Sequence, residues 1–231
     1  MHFAHSLDNK DNTTRWHTLQ DHLISTGETA AGFAREFGSQ NAAKLAGILH
    51  DLGKYSLKFQ ARLRGAKESV DHSTAGAQVI SKFVGNGFDK IVADIIAYAI
   101  AGHHAGLSDY SILQERINKV VEPIDGVWRQ EIDVNVGVLW RELKHLSKSK
   151  EDAVKAAFQL AFLGRMIFSC LVDADYKDTE KFYSENERRV IDRIWPDLRT
   201  HIVPLIARFD AYMEDKSKRA DVTPLNGLRQ E

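Results

Sequence analysis

The sequence predicts an all-α fold, and three observations carry that expectation. Proline is confined to Pro123, Pro196, Pro204 and Pro224. No alternating apolar runs punctuated by glycine mark hairpins. Apolar residues recur instead at helical spacing along most of the chain. Residues 16–38 place Leu19, Leu23, Ala30, Phe33, Ala34 and Phe37 near that spacing, with Gly38 as the stop. Residues 41–54, NAAKLAGILHDLGK, read as a second helix with Asn41 as candidate N-cap. A third begins near Asp71 to Thr74 and runs through GAQVISKFV, and FDKIVADIIAYAIAGHH (88–104) is a long apolar helix ending in two histidines. Later helices are expected over about 110–120, 135–147, 151–175 and 185–212. The last stretch, DKSKRADVTPLNGLRQE, is polar and carries Pro224 and Gly227, so it reads as a linker or tail. The expected organisation is one domain over 1–215 and a tail over 216–231.

With 231 residues, 43% hydrophobic and 27% charged, the chain has ample material for one core, and disordered and disulfide-scaffold classes drop out. The start, MHFAHSLDNK, has neither a basic n-region nor an apolar stretch. No later segment reads as approaching the roughly 20 apolar residues of a membrane helix. The expectation is a soluble, cytoplasmic protein with no membrane partner. The one cysteine, Cys170 in RMIFSCLV, has no partner for an internal disulfide, and its apolar neighbours point to a buried thiol. A net charge of −1 leaves no broad positive field of the kind that marks many duplex-binding proteins. One local patch stands out: KYSLKFQARLRGAK holds Lys54, Lys58, Arg62, Arg64 and Lys67 with Tyr55 and Phe59 between them. It is either a solvated helix face or a strip that contacts phosphates.

Ten histidines lie on this scaffold. His22 sits on the first helix beside Leu23, His50 and Asp51 close the second, His72 opens the third in DHSTAG, and His103 and His104 close the long apolar helix. Taken singly, a histidine in such a place is ordinarily a core residue bonded to a carbonyl. Adjacent ionisable pairs at helix ends differ, because burying them gains little unless something binds them, and imidazole is the commonest side-chain metal ligand near neutral pH. Neighbours on a helix diverge by about 100°. His50 and Asp51 therefore serve one centre together only if the carboxylate uses its two oxygens as a bridge. His2, His17, His145 and His201 lack such company and read as surface or structural.

The ordered series AHS (4–6), WHTLQDHL (16–23), GILHDLGKYSLKFQ (47–60), DHSTAGA (71–77), AIAGHHAGL (99–107) and GRMIFSCLVDADYKDTE (164–180) resembles the HD-domain nucleases of type I CRISPR systems. These are the nuclease part of the helicase–nucleases that degrade invader DNA in antiviral defence. The likeness covers most of the chain, while residues 108–150 carry none of the family's motifs. It implies an HD-domain helical bundle with a buried dinuclear metal site. One ion would be held by His22, His50, Asp51 and an aspartate of VDAD, and a second by Asp51, His72, His103 and His104, with Asp51 bridging. Asp173 and Asp175 both stand in VDAD, about 200° apart on a helix, so only one can face the site. Aligning ADYKDT with the ADxxxS/T pattern of related HD enzymes favours Asp175. An imidazole-rich ligand set suits two divalent ions of Mn, Fe, Co, Ni or Zn better than Mg, though Mg is admitted.

The implied activity is hydrolysis of phosphodiester bonds in single-stranded DNA by a two-metal mechanism, endo- or exonucleolytic, with Asp51 and Lys54 as catalytic residues. Lys54 falls three residues after Asp51 and four after His50, on their helix face, where it would donate to the scissile phosphate or to a metal-bound water, or else stand as an ordinary surface lysine. Lys58, Arg62 and Arg64 follow directly, and the resemblance turns them from a solvated face into a path for the strand, with aromatic stacking. Gly53 and Gly102 would leave room beside the metals or end their helices. TPLNGLRQE looks like the junction that precedes helicase domains in the fused enzymes, and no GxxxxGK[ST] phosphate loop occurs here. The implied partners are single-stranded DNA, a helicase domain in cis or in trans, and the RNA-guided CRISPR surveillance complex. Two other readings stand beside this one: an HD phosphohydrolase of nucleotides or cyclic dinucleotides, and a catalytically weak docking module.

Overall fold

Helices form where the apolar spacing places them, and their ends are moved by capping and by what each end must reach. The computed structural model describes residues 1–10, 12–83, 87–137, 139–143, 153–194, 196–221, 223 and 226–227. Among these the chain runs β1 (Phe3–His5), β2 (His17–Thr18), α1 (Leu19–Ala34), α2 (Gln40–Leu49), α3 (Leu57–Leu63), α4 (Ser73–Phe83), α5 (Phe88–Gly102), α6 (Tyr110–Asn118), α7 (Trp128–Glu131), α8 (Ala153–Glu187) and α9 (Leu198–Arg219). The all-α expectation holds apart from β1 and β2, which pair antiparallel with Phe3 opposite Thr18 and His5 opposite His17. Strands this short carry too few residues to show an alternating pattern.

Thr18 starts α1. Its hydroxyl accepts from the Asp21 N–H at 3.2 Å and donates to the Asp21 carboxylate at 2.6 Å, which satisfies one of the helix's open N-terminal donors. The helix buries Leu19, His22, Leu23, Thr26, Gly27, Ala30 and Ala34, a stripe at the helical period. It ends through a 3-10 turn, Arg35–Phe37, at Gly38, whose φ of 70° is the left-handed stop expected there.

Central to the bundle is α2, with Ala42, Ala43, Leu45, Ala46, Gly47, Ile48 and Leu49 all buried. It packs on α1, α4, α5 and α8. At the α1–α2 crossing a Cβ on Gly47 would lie 2.5 Å from the Gly27 Cα, so the two backbones touch. Asn41 does not cap this helix. It begins one residue earlier, and the N–H groups of Asn41 and Ala42 donate to the Glu142 carboxylate at 2.8 and 3.0 Å. Glu142 comes from the 3-10 turn Leu139–Leu143, and its charge complements the positive end of the helix dipole.

The C-terminal half departs further from the expected boundaries. α8 continues to Glu187 instead of stopping at 175, since no glycine or proline interrupts DYKDTEKFYSENE. The helix expected over 185–212 is instead the end of α8, a left-handed break at Arg188 with φ 54°, and α9 with Pro204 inside it. Of the helix expected over 135–147, the described residues show only Leu139–Leu143 as helical, and residues 138 and 144–147 lie outside the described residues. By length and composition α8 is apolar enough to cross a membrane, with an 18-residue window of mean hydropathy 1.4, which corrects the expectation that no segment approaches this. Ile167, Cys170, Leu171 and Ala174 of α8 are nonetheless core residues, although only 17% of that window is buried. The chain divides into two units, Met1–Arg189 and Val190–Glu231, a division earlier than residue 215. In the second unit α9 buries none of its residues.

Candidate metal centre

Two ionisable side chains enter one cluster because α2 stops. The helix ends at Leu49 and does not run to Lys54. His50 keeps helical angles (φ −58°, ψ −37°), Asp51 leaves at φ −110°, ψ 20°, and a 3-10 turn, Leu52–Tyr55, follows. In a continuous helix the two side chains would diverge by about 100°; with the break, His50 Nε2 lies 3.3 Å from Asp51 Oδ2. Contact with the segment before α4 fixes the turn. The Gly53 N–H donates to the His72 carbonyl at 3.0 Å, and a Cβ on Gly53 would lie 2.4 Å from the His72 Cα. Gly53 therefore makes room for the His72 backbone, neither for a metal nor to end a helix, whereas Gly102 does end its helix as the last residue of α5, where a Cβ would lie 3.3 Å from the Leu107 nitrogen. Gly53→Ala is expected to push His72 away from Asp51 and to cost about 1–3 kcal/mol. Thermal denaturation and the metal content of the purified variant check this.

Asp51 faces two groups of imidazoles, one with each oxygen. Oδ2 lies 3.4 Å from His22 Nε2 and 3.3 Å from His50 Nε2, while Oδ1 lies 3.5 Å from both His72 Nε2 and His103 Nε2. Asp175 Oδ1 closes the first group at 3.4 Å from His22 and 3.5 Å from His50. His104 closes the second, its Nε2 at 2.7 Å from that of His72. Four ligand atoms in each group, His22, His50, Asp51 and Asp175 in one and Asp51, His72, His103 and His104 in the other, lie within 4.8 Å of one another. Asp173 points away, exposed and paired with Lys177 one turn on along α8.

Hydrogen bonds on the far side of each ring aim these atoms. His50 Nδ1–H donates to the Gly47 carbonyl at 2.7 Å, His103 Nδ1–H to Ile100 at 2.7 Å, and His72 Nδ1–H to Val70 at 3.1 Å. Two of these acceptors are carbonyls in the last turns of α2 and α5, where helix ends leave acceptor capacity open, and that of Ile100 also takes the His103 N–H. Each Nε2 is thereby turned inward, as in metal sites generally. His22 Nε2, His50 Nε2, Asp51 Oδ1 and His103 Nε2 are all buried without a hydrogen-bond partner. Leaving such atoms unmet costs about 1–3 kcal/mol each. Four of them in one buried cluster, offering nitrogen and carboxylate donors, fit divalent cations.

The two groups differ in charge. Burial disfavours a charge on His50, but Asp51 and Asp175 outweigh it and push its pKa up to about 10. Burial likewise opposes ionisation of Asp51, yet His50 and Lys54 hold its carboxyl well below the usual range, and His50 does the same for Asp175. In the second group burial lowers the pKa of His72 and, with His103 beside it, brings that of His104 down to about 4.

Lys54 is buried on the 3-10 turn, not on α2. Its ammonium lies 2.6 Å from Asp51 Oδ2 and donates to the Ala4 carbonyl at 3.3 Å. Of the basic strip, Lys58 and Arg62 stand exposed on α3 and Arg64 at its end. Lys58 pairs with Glu122 at 2.5 Å, and Arg64 lies 6.0 Å from the Trp16 ring centre. Tyr55 and Phe59 are not available for stacking on bases. Both are buried: Tyr55 donates to Glu131 at 2.7 Å, and the Phe59 ring centre is 5.1 Å from that of His72.

The sequence reading missed what surrounds His22. Asp178 accepts from His22 Nδ1–H at 2.7 Å and lies 3.6 Å from His17 Nε2, and His17 Nδ1 is 3.2 Å from His5 Nδ1. His17 thus belongs to the surroundings of the centre and is not an isolated histidine. Burial pushes the pKa of His5 down to about 2 and that of His17 to about 4. The available signal was spacing: Asp178 follows Asp175 by three residues on one helix, so the two share a face. His2 packs on Tyr55, His201 is exposed on α9, and His145 lies outside the described residues.

Compared with known families, the chain matches the HD domain over residues 19–158, more than half of its 231 residues. None of the curated proteins matches it.

Proposed function

We propose, from the premise that this chain belongs to the HD-domain family of metal-dependent phosphohydrolases, that it is a nuclease hydrolysing phosphodiester bonds of single-stranded DNA. The observation that carries the reading is Asp51, whose two oxygens face two separate sets of imidazoles. His22, His50, Asp51 and Asp175 would hold one divalent ion, and Asp51, His72, His103 and His104 the other. Such a pair supplies a nucleophile at neutral pH and stabilises both the entering and the leaving oxygen at phosphorus. The chain's own residues do the rest. Lys54 holds Asp51 Oδ2 and balances its charge, and Asp178 fixes the orientation of His22. His22, His50 and Asp51 close the inner wall against water, whereas His104 is exposed and His72 partly so, which gives the substrate its side of entry.

Next to that side lies α3, since Phe59 packs on His72. Its exposed Lys58 and Arg62, with Arg64, offer phosphate contacts to a strand threading past. The single strand implies a helicase, in cis or in trans, and the likeness to type I CRISPR nucleases extends this to the RNA-guided surveillance complex in the cytoplasm. Incubating the protein with circular and linear single-stranded DNA across Mn, Fe, Co, Ni, Zn and Mg tests the reading. Cutting of either substrate that depends on the metal is expected. Turnover of nucleotides or cyclic dinucleotides with no DNA cleavage would replace it with the small-molecule phosphohydrolase, and binding without any turnover with a docking module.

A further inference from the structure

The second group of ligands is carried by two segments that nothing in the motif series ties together. His72 precedes α4, and His103 and His104 follow α5, His104 lying 32 positions after His72. Their separation decides whether Asp51 Oδ1, His72, His103 and His104 converge. The side chain that spans them comes from residues 108–150, the stretch without family motifs. Arg116 of α6 donates from Nη1 to the Ala101 carbonyl, two residues before His103. From Nη2 it donates to Ser73 Oγ at 2.7 Å and Thr74 Oγ1 at 3.0 Å, and from Nε to Thr74 Oγ1 at 3.1 Å, the two residues that follow His72. The same guanidinium lies 3.6 Å from Asp71, the residue before His72.

We propose that Arg116 is a positioning residue for the second metal ion: its guanidinium clamps the start of α4 to the end of α5 and so sets the distance between His72 and the His103–His104 pair. A planar fork spreads its five N–H donors over three nitrogens and so reaches a carbonyl on one segment and two hydroxyls on another in fixed geometry, whereas the three donors of an ammonium radiate from a single atom. The clamp is itself anchored. Gln78 of α4 donates to the Arg116 carbonyl at 3.3 Å and to the Lys119 carbonyl at 2.6 Å, and Lys119 lies 3.5 Å from Asp71. His22, His50 and Asp175 come from α1, the end of α2 and α8, whereas the Arg116 side chain bonds to Ser73, Thr74 and Ala101 of α4 and α5. The effect is therefore selective for one ion of the two. This rests on the two-ion reading above.

Calorimetric titration of the metal-free full chain with Mn(II) and with Co(II), together with metal content per chain, tests it in wild type, Arg116→Ala, Arg116→Lys and His22→Ala. Wild type is expected to bind two ions. Arg116→Ala should weaken one step by about 10–100-fold and leave the other as in wild type. Arg116→Lys should recover only part of the loss, and His22→Ala should weaken the opposite step. Melting of the metal-free protein separates positioning from general stability, because a purely structural residue would weaken both steps along with the fold. Should Arg116→Ala fail to fold, Ser73→Ala removes one acceptor of the clamp and is expected to weaken the same step. Two wild-type-like steps in the Arg116 or Ser73 variant, or equal weakening of both, overturns the inference. Fewer than two ions on the wild-type chain overturns the two-ion reading itself.

Discussion

Under the proposed two-ion reading, Asp51→Ala is expected to cost both metal ions together, and with them the proposed phosphodiester hydrolysis by on the order of 1,000-fold in kcat. No other residue belongs to both ligand groups. His50→Ala, by contrast, removes a ligand whose Nε2 lies against Asp51 Oδ2 and Asp175 Oδ1, and should cost chiefly the ion of that group. Metal per chain, measured by mass spectrometry beside a cleavage assay, separates the two outcomes. One complication is physical. Lys54 is 6% exposed and lies against the carboxylate that the substitution removes. Stripping one partner from a buried pair costs about 3–5 kcal/mol, because the other charge is left without a counterion. The double variant Asp51→Ala/Lys54→Met removes both charges and isolates the loss of the bridge from the loss of stability. If that double variant kept one ion at wild-type affinity, Asp51 would be a ligand of a single group and not a bridge.

How far such a site can be read ahead of the structure depends on whether a feature is local. His22, His50, His72, His103 and His104 were legible because each sits in a short motif at a helix end, and the helical period placed those ends to within a few residues. That only one of Asp173 and Asp175 faces the site was legible from the helical period, which sets them about 200° apart; that it is Asp175 came from the likeness of ADYKDT to the ADxxxS/T pattern, and the structure places Asp175 beside His22 and His50. The end of α2 was not. LAGILHDLGK reads as uninterrupted helix, and what stops it is the approach of the His72 backbone to Gly53, a contact set by another element. Tyr55 and Phe59 looked like stacking residues among basic ones, but the same turn folds both inward. Glu142 and Arg116 act across the fold on α2, α4 and α5 and match no pattern of spacing. Motifs thus show which atoms meet, while the residues that hold them at distance come from tertiary contacts.

Binding of a metal to the group of His22, His50, Asp51 and Asp175 should expel about one proton from His50 at pH 7, whereas His72 and His104 of the other group should contribute almost none. A ligand nitrogen must be free of its proton. With its pKa up at about 10, His50 is an imidazolium at pH 7, held so by Asp51 and Asp175 against the opposing effect of burial. The two carboxylates are already ionised there and release nothing. In the second group burial keeps His72 and His104 neutral at pH 7, ready to bind. Stability follows with a definite sign. The proton on His50 stabilises the metal-free fold fully below its ordinary value of 6.5, and that contribution is lost as pH rises through about 10. The metal competes with this proton, so affinity at the first group should rise about tenfold per pH unit over that window. The melting temperature gained on adding metal should widen over the same range. Calorimetric titrations in buffers of different ionisation enthalpy read the protons directly. His50→Ala should abolish the release while the second group still binds, and heats independent of buffer in the wild-type protein would mean that His50 is neutral before the metal arrives.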